Sequence, residues 1–579
     1  MTPRFHCLLI LLFLPQAVSD LSETFATFVD LNGLLASNVS LQCKLDMATF
    51  YMSLSQFIRT KISCVKRGGC DSSQKEILNK NIYAAKQLDA FGKLPAGIME
   101  LPTASIGSYV ECNELLAPYK THYCFAGMQF NNVSVDVTME KLTVKLAVCM
   151  PRSCDERDIP LLMSSIIKRH FLPIGFSDAV CVSTSVVPTT SFWIFIAFSS
   201  FYVLWAILAT ITDYVLHVDN SCNAKTTTAM SIFLAFSFYS NGAVLLDVGP
   251  PKEGTLRSLA SIRFISMTWV VSSHAIGAAS LSESILPMLA IWNPLLSTTI
   301  TNGFLSIDTF FLLSGVLVAY LFFRARPRSE FVKNPMTWIL FYVHRYLRLT
   351  PPVMMFIWFF VVVLPFTSGP WDAAVPTDKL GTVHDSVRLC QQHWWRNMLY
   401  INNFFDDSED CYGITWYLAV DMQLYLVAPV FLVTLYISPL IANSRGTYNN
   451  FSRIGWALAV SWVIVANHLG WGGKLSYCAY IVHVFIIRYI FNLDDRPFNL
   501  ISMWKAYVYR GIPVVVLSYF LAFIWSCLFE VPTANLEKIL IAALIPQKKT
   551  GPSHSKHVAV WNPDKEIENV HDQTTNMKF

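Results

Sequence analysis

The chain has 579 residues, of which 54% are hydrophobic, 14% aromatic and only 14% charged, against about 25% charged in soluble domains. Its 43 basic and 39 acidic residues leave a net charge of +4, without the basic excess of a nucleic-acid binder. A disordered chain, a coiled coil, a wholly soluble protein and a nucleic-acid partner are excluded; with a mean hydropathy of +0.43, the composition is that of an α-helical polytopic membrane protein whose first partner is the lipid bilayer.

Residues 1–19 place Arg4 before an apolar run from Cys7 to Leu14, with Ala17 and Ser19 as small residues at the end. That is the form of a signal peptide, since the run is shorter than the roughly 20 apolar residues that cross a bilayer; the alternative is an uncleaved anchor. Residues 20–190 then read as a soluble extracellular or lumenal domain. They hold Cys43, Cys64, Cys70, Cys112, Cys124, Cys149, Cys154 and Cys181, an even set that implies disulfides and leaves the pairing open. Asn38 and Asn132 begin Asn-Val-Ser glycosylation acceptors. Ser73-Gln74-Lys75-Glu76 predicts a capping box opening a helix to about Leu88. The alternation from Lys141 to Val148 predicts a strand, so this domain is α+β. It shows no metal or nucleophile cluster, and none of the histidines along the chain has a trustworthy metal-ligand spacing.

Eight spans follow: Phe192–Thr212, Phe264–Ser282, Gly303–Phe323, Thr350–Trp371, Tyr412–Ile437, Ile454–Trp471, Leu475–Phe491 and Gly511–Phe529. The segment 191–258 joins the first span to a cytosolic stretch in which Met230–Leu246 reads as an interfacial helix. With the amino end outside, Arg324, Arg326, Arg328 and Lys333 fall inside, as positive charge prefers. Residues 372–411 then fall outside, where Cys390 and Cys411 could pair. Alternation runs the seventh span inward and the eighth outward, leaving the polar tail 546–579 outside.

Several ionisable residues fall where lipid is expected, and such groups face a bundle interior or a water-filled cavity. Arg263 and His274 are eleven residues apart, which on a helix is about 16 Å of rise and about three turns. They therefore share a face, with His274 deep in the membrane. Arg345 and Arg348, at i and i+3, share another face at the cytosolic mouth of the fourth span, where guanidiniums can grip phosphates. Asp308 and Asp421 each need a partner, for which these arginines or His274 are candidates. His483 follows Tyr477 and Tyr480 in the seventh span. For each of these the bland alternative is a satisfied core residue or ordinary positive-inside anchoring.

As a set, these residues resemble the membrane acyltransferase-3 family in order and spacing. The resemblance rests on Arg263-x10-His274, Phe304-Leu-Ser-Ile-Asp308-Thr-Phe-Phe311-Leu-Leu-Ser314-Gly315, Arg345-x-x-Arg348-Leu-x-Pro351, Trp416-Tyr-Leu-Ala-Val-Asp421-Met-Gln423 and Ser476-Tyr477-x-x-Tyr480-Ile-Val-His483. The preceding domain is similar to that of the nose-resistant-to-fluoxetine branch, through Leu88-Asp-Ala-Phe-Gly-Lys-Leu-Pro-Ala-Gly97, Gly107-Ser-Tyr-Val-Glu-Cys112, Tyr123-Cys124 and Cys149-Met-Pro-Arg-Ser-Cys154. The resemblance implies an acyltransferase bundle over 259–545, no permanently bound cofactor and an acyl-coenzyme A co-substrate. It implies transfer to a hydroxyl of a lipid or small molecule, with His274 and Asp308 catalytic. Arg263, Arg345 and Arg348 would hold the donor; Asp421, Tyr477 and His483 are additional site candidates.

The resemblance also implies about three further spans where only the connection between Ile437 and Ile454 stands. A spliced form, an incomplete gene model and a shortened inactive or regulatory form are alternatives, as is a non-enzymatic lipid or drug carrier. The acceptor, protein partners and the membrane of residence are not named by the sequence.

Overall fold

The computed structural model describes residues 37–93, 104–130, 143–166, 174–182, 186–218, 227–247, 257–280, 302–324, 327, 329–367, 369–374, 383–437, 474–494 and 503–544. The expected signal peptide, Asn132, the sixth span at Ile454–Trp471 and the tail from 546 lie outside the described residues.

The amino-terminal domain begins with two helices, α1 (Leu41–Lys66) and α2 (Ser72–Asp89), joined by a turn that the Cys64–Cys70 disulfide closes. Gly68 takes a positive φ of 74° in that turn, a conformation glycine adopts without steric cost. The capping box of α2 is built by Asp71 and Gln74, whereas Ser73 was expected to open it. The Asp71 carboxylate accepts from Gln74 N–H at 2.7 Å, and Asp71 N–H donates to Gln74 Oε1 at 3.2 Å. The helix starts earlier than expected because the Cys70 crosslink ends the turn just before Asp71.

Two hydrophobic cores meet on the two faces of a four-stranded sheet. Strands β1 (Ala104–Ser105), β2 (Thr121–Phe130), β3 (Thr143–Pro151) and β4 (Ile174–Cys181) lie in the order β1-β3-β2-β4. The strand expected from Lys141 is β3. Alternation along β2 sends Cys124 and Ala126 to one face and Tyr123 and Phe125 to the other. The first face packs on Met47, Phe50 and Leu54 of α1 and on Tyr83 and Ala84 of α2. The second face packs on Ala373 and Ala374, far along the chain. The cysteines pair as Cys43–Cys154, Cys64–Cys70, Cys112–Cys149 and Cys124–Cys181.

Five helices among the described residues are long and apolar enough to cross a membrane: Thr190–Val218, Leu305–Arg324, Pro335–Thr367, Gly413–Val433 and Tyr507–Ile541. We designate α3 as Thr190–Val218, α4 as Arg257–Ser280, α5 as Leu305–Arg324, α6 as Pro335–Val363, α7 as Pro370–Ala374, α8 as Val383–Met398, α9 as Trp416–Ile437 and α10 as Ser476–Asn492. The last span, Tyr507–Ile541, we designate α11. Trp193, Ile194, Phe201, Leu204 and Ile211 keep the outer face of α3 apolar and open, as lipid contact requires.

Three expectations need correction. The fourth span begins at Pro335, capped by Asn334, and not at Thr350. Arg345 therefore sits about 15 Å inside the helix, where Asp421 offsets its charge. Met230–Leu246 forms no single interfacial helix: it is a pair, Thr228–Leu234 and Phe238–Leu246, bent by 64°. Asn241 fixes the second of these, donating to Ala235 O at 3.1 Å and Cys527 O at 3.2 Å. Cys527 lies in a π-helical turn, Ser526–Glu530, whose geometry breaks the usual ladder and frees carbonyls.

The direction of the later helices also differs from simple alternation. The end of α10 at Asn492 meets Asp372 of α7, beside the amino-terminal domain. So α10 runs toward that domain and α11 returns from it, with Arg510 donating to Ile490 O at 3.1 Å. Both directions are the reverse of the alternating count. Side-chain pairing at both ends of α10 sets its direction, and a tally of apolar stretches contains no such information.

Candidate active site

The site forms where α4, α9 and α10 meet. Gly303 brings the turn before α5 against α4: a Cβ there would lie 2.3 Å from Ser273 Oγ, so only glycine permits this approach. His274 is the next residue. The residue keeps accessible surface while its ring reaches α10. His274 Nδ1 lies 2.7 Å from His483 Nε2, and the rings stack at 5.0 Å and 13°.

His483 is fully buried, and its other nitrogen, Nδ1, lies 2.7 Å from the carbonyl oxygen of Tyr480. A carbonyl only accepts, so His483 Nδ1 carries the proton. With both rings neutral, His483 Nε2 must then accept, and His274 Nδ1–H donates to it. That assigns the lone pair of His274 to Nε2. A backbone carbonyl on one helix thereby fixes which nitrogen is basic on another. Tyr480 is itself held by its hydroxyl on Ile414 O, and Tyr412 donates to Ile481 O at 2.7 Å.

A second cluster lies along α6 and α9. Arg345 forms an ion pair with Asp421, donates to Ser314 Oγ at 3.3 Å and lies 4.1 Å over the Tyr425 ring. Tyr425 stacks on Phe341 at 4.1 Å. Arg263 is within the electrostatic reach of Arg348, Tyr417, Arg345 and Asp421, and Arg348 is exposed. The three arginines expected together are therefore neighbours, with one carboxylate among them. Gln423, two residues past Asp421, supports this region. It donates to Tyr400 O at 2.9 Å and Asn403 Oδ1 at 2.8 Å, holding Tyr400 at a φ of 57°, an uncommon conformation for a non-glycine residue.

The structure brings His274 and His483 together, and separately Arg345 and Asp421. Tyr477 is a brace, donating to Leu349 O at 2.6 Å. Asp308 is exposed in the first turn of α5, and among the described residues no contact joins it to His274. Sequence reasoning missed the Tyr480 carbonyl and Tyr412, because a backbone acceptor and a distant hydroxyl leave no spacing signal. Asn38 is exposed, as glycosylation requires. His122, Cys124 and Cys181 converge as metal ligands would, but the two sulfurs are spent on each other in a disulfide.

Two family models match in order. Residues 69–163 match "Nose resistant-to-fluoxetine protein, N-terminal domain", and residues 256–472 match "Acyltransferase domain". The chain is 27% identical over 419 residues to nose resistant to fluoxetine protein 6 of Caenorhabditis elegans, covering 60% of this chain and 49% of that protein. It is 25% identical over 264 residues to regulator of hypoxia-inducible factor 1 of the same organism, covering 44% and 45%. A Staphylococcus aureus protein named provisionally as an O-acetyltransferase is 27% identical over 241 residues, covering 40% and 35%. The chain thus spans half or less of the length of these curated relatives. No solved structure matches it. The acyltransferase match stops at residue 472, before His483, a candidate from the sequence that the fold places 2.7 Å from His274. With both matches in order, the chain carries a nose-resistant-to-fluoxetine amino-terminal domain followed by an acyltransferase-3 domain.

Proposed function

We propose that the protein moves an acyl group, other than an amino-acyl group, from an acyl-coenzyme A donor to a hydroxyl of a lipid or small-molecule acceptor. The observation that carries this reading is the imidazole pair, which leaves His274 Nε2 as an oriented base on a residue with accessible surface. In the reaction, Nε2 takes the acceptor's O–H proton while the oxygen adds to the thioester carbonyl. Collapse of the adduct breaks the C–S bond, and the leaving thiolate takes the proton back from the imidazolium. Ester and free coenzyme A result, and the base is regenerated. His483 holds the ring in the productive tautomer, as the third member of a catalytic triad does.

Arg263, Arg345 and Arg348 are the donor-holding groups in this reading, since guanidiniums suit phosphate bidentately and Arg348 is open to approach. Asp421 fixes Arg345 rather than taking part in proton transfer. Asp308, expected to be catalytic, has the weaker claim of a charge at a helix start, where the dipole favours it.

The test is acyl transfer by the full chain in membranes given labelled acetyl- and longer acyl-coenzyme A, with lipid and small-molecule products profiled. His274→Ala should lower transfer by about 10²–10⁴-fold, the usual contribution of a positioned base, at unchanged protein level. His483→Ala should follow it less steeply. Transfer that survives His274→Ala unchanged would remove the proposal, and uptake of a lipid without any acyl product would favour a carrier.

A further inference from the structure

Four titratable or polar groups of the bundle lie outside the site, yet meet where α7 joins the amino-terminal domain to it. Helix α7 is buried along its whole length. On one side, Lys145 of β3, itself buried, donates to Ala373 O at 3.2 Å, and Ala373 and Ala374 complete the second face of the sheet. On the other side, Trp371 packs on Phe491 of α10 at 5.1 Å. Between them Asp372 faces α10. Its carboxylate accepts from Asn492 Nδ2 at 2.5 Å, its backbone N–H donates to Asn492 Oδ1 at 3.2 Å, and Arg488 Nη1 lies 3.7 Å from its other oxygen. Arg488 also reaches Ser386 of α8 at 3.4 Å. Gly369 keeps this approach open, since a Cβ there would lie 2.8 Å from Asn492 Cβ.

Helix α10 is also the helix of His483. Arg488 is five residues, about 7.5 Å of rise, beyond it and Asn492 nine, about 13.5 Å. A rigid helix passes an axial shift or rotation at Asp372 directly to the imidazole. His483 is sensitive to such a shift because its Tyr480 bond moves with α10 while its partner His274 stays on α4, and that second bond orients His274.

We propose that Asp372, with Arg488 and Asn492, is a positioning residue for the acyl-transfer site, and that the amino-terminal domain sets the place of His483 through α7. The inference rests on the acyltransferase reading for its catalytic consequence, but the mechanical link stands on the contacts alone. Neither end is an accident of surface charge: Asp372 and Arg488 are both more than nine-tenths buried, where an ion pair is kept only if well partnered.

Two experiments test it on the full chain in lipid nanodiscs. First, Asp372→Asn should lower turnover with acetyl-coenzyme A by about 10²-fold, the scale of a misplacement of about 1 Å, while the KM for acetyl-coenzyme A stays within about twofold. Asp372→Glu should restore most of the turnover. Wild-type turnover in Asp372→Asn overturns the proposal, as does a loss carried wholly in KM. Second, Lys145→Met acts from the amino-terminal side without touching the buried ion pair, and covers the case in which Asp372→Asn does not fold. Hydrogen exchange across 476–492 should speed up in Lys145→Met, and unchanged protection there overturns the proposal. If the wild-type chain transfers no acyl group, the acyltransferase reading fails while the exchange experiment still decides the link.

Discussion

The amino-terminal domain and the membrane bundle solve the same problem by different means. The first has a small core, two helices on one sheet face, and four disulfides that tie its segments together. The second has one large core rich in aromatic side chains, with Phe356, Trp525, Phe359 and Phe485 in mutual contact. Among the described residues its one disulfide, Cys390–Cys411, lies between α8 and the start of α9. The bundle can therefore bury polar and charged groups and keep them in place: the buried His483, paired with His274, and the Arg345–Asp421 ion pair form the candidate site. Among the described residues, the domain that relies on covalent ties holds no comparable pair of imidazoles.

That contrast can be broken at several points. The largest effect is expected from opening Cys43–Cys154, which spans 111 residues of chain. Replacing both by Ala should cost the amino-terminal domain about 4–5 kcal/mol on the loop-entropy relation. The measurement is proteolytic susceptibility of 37–182 against that of the bundle; equal loosening of both would erase the distinction. Next, Arg345→Met strands Asp421 and should cost the bundle about 3–5 kcal/mol, seen as a lower midpoint of thermal unfolding in detergent. Arg345→Met with Asp421→Leu should recover most of it, since an apolar pair of similar volume is tolerated. Failure to recover would assign the loss to missing donor contacts.

A pH effect is expected to be smaller and confined to the amino-terminal domain. Burial, with the nearby Arg152 charge, pushes His122 down from 6.5 to about 4. The unfolded domain therefore binds a proton that the folded domain refuses between about pH 6.5 and pH 4. The stability from this group is complete above 6.5 and is lost as pH falls toward 4, by an amount on the order of 1–3 kcal/mol. Hydrogen exchange of β2 and β3, corrected for intrinsic rates, should show it, and His122→Phe should flatten it. The smallest effect is Asp71→Ala, which removes a capping box at about 1 kcal/mol and should fray α2 alone.

Much of the site was legible. Arg263 and His274 declare a shared face because the helix repeat fixes the angle between residues eleven apart. The need of Asp421 for a partner follows from the cost of a lone carboxylate in lipid, and Arg345 meets it. The pairing of Cys390 with Cys411 followed from their shared loop. Asp308 shows the limit of the same reasoning. Its motif drew attention to it, but a charge in the first turn of a helix is satisfied by the helix end and need not face the base.

The sequence by itself determined the class of molecule, the two-part organisation, the family resemblance and the helix that carries His274. These follow from composition, apolar length and spacing along one element, all of which are local properties of the chain. Only the tertiary structure decided that His483 orients His274, which nitrogen is free, which way α10 runs, and that Asp372 joins the amino-terminal domain to that helix. Each of these depends on where groups more than a hundred residues apart come to rest. Hydrogen-bond direction and helix orientation are set by such meetings, and no periodicity within a segment encodes them.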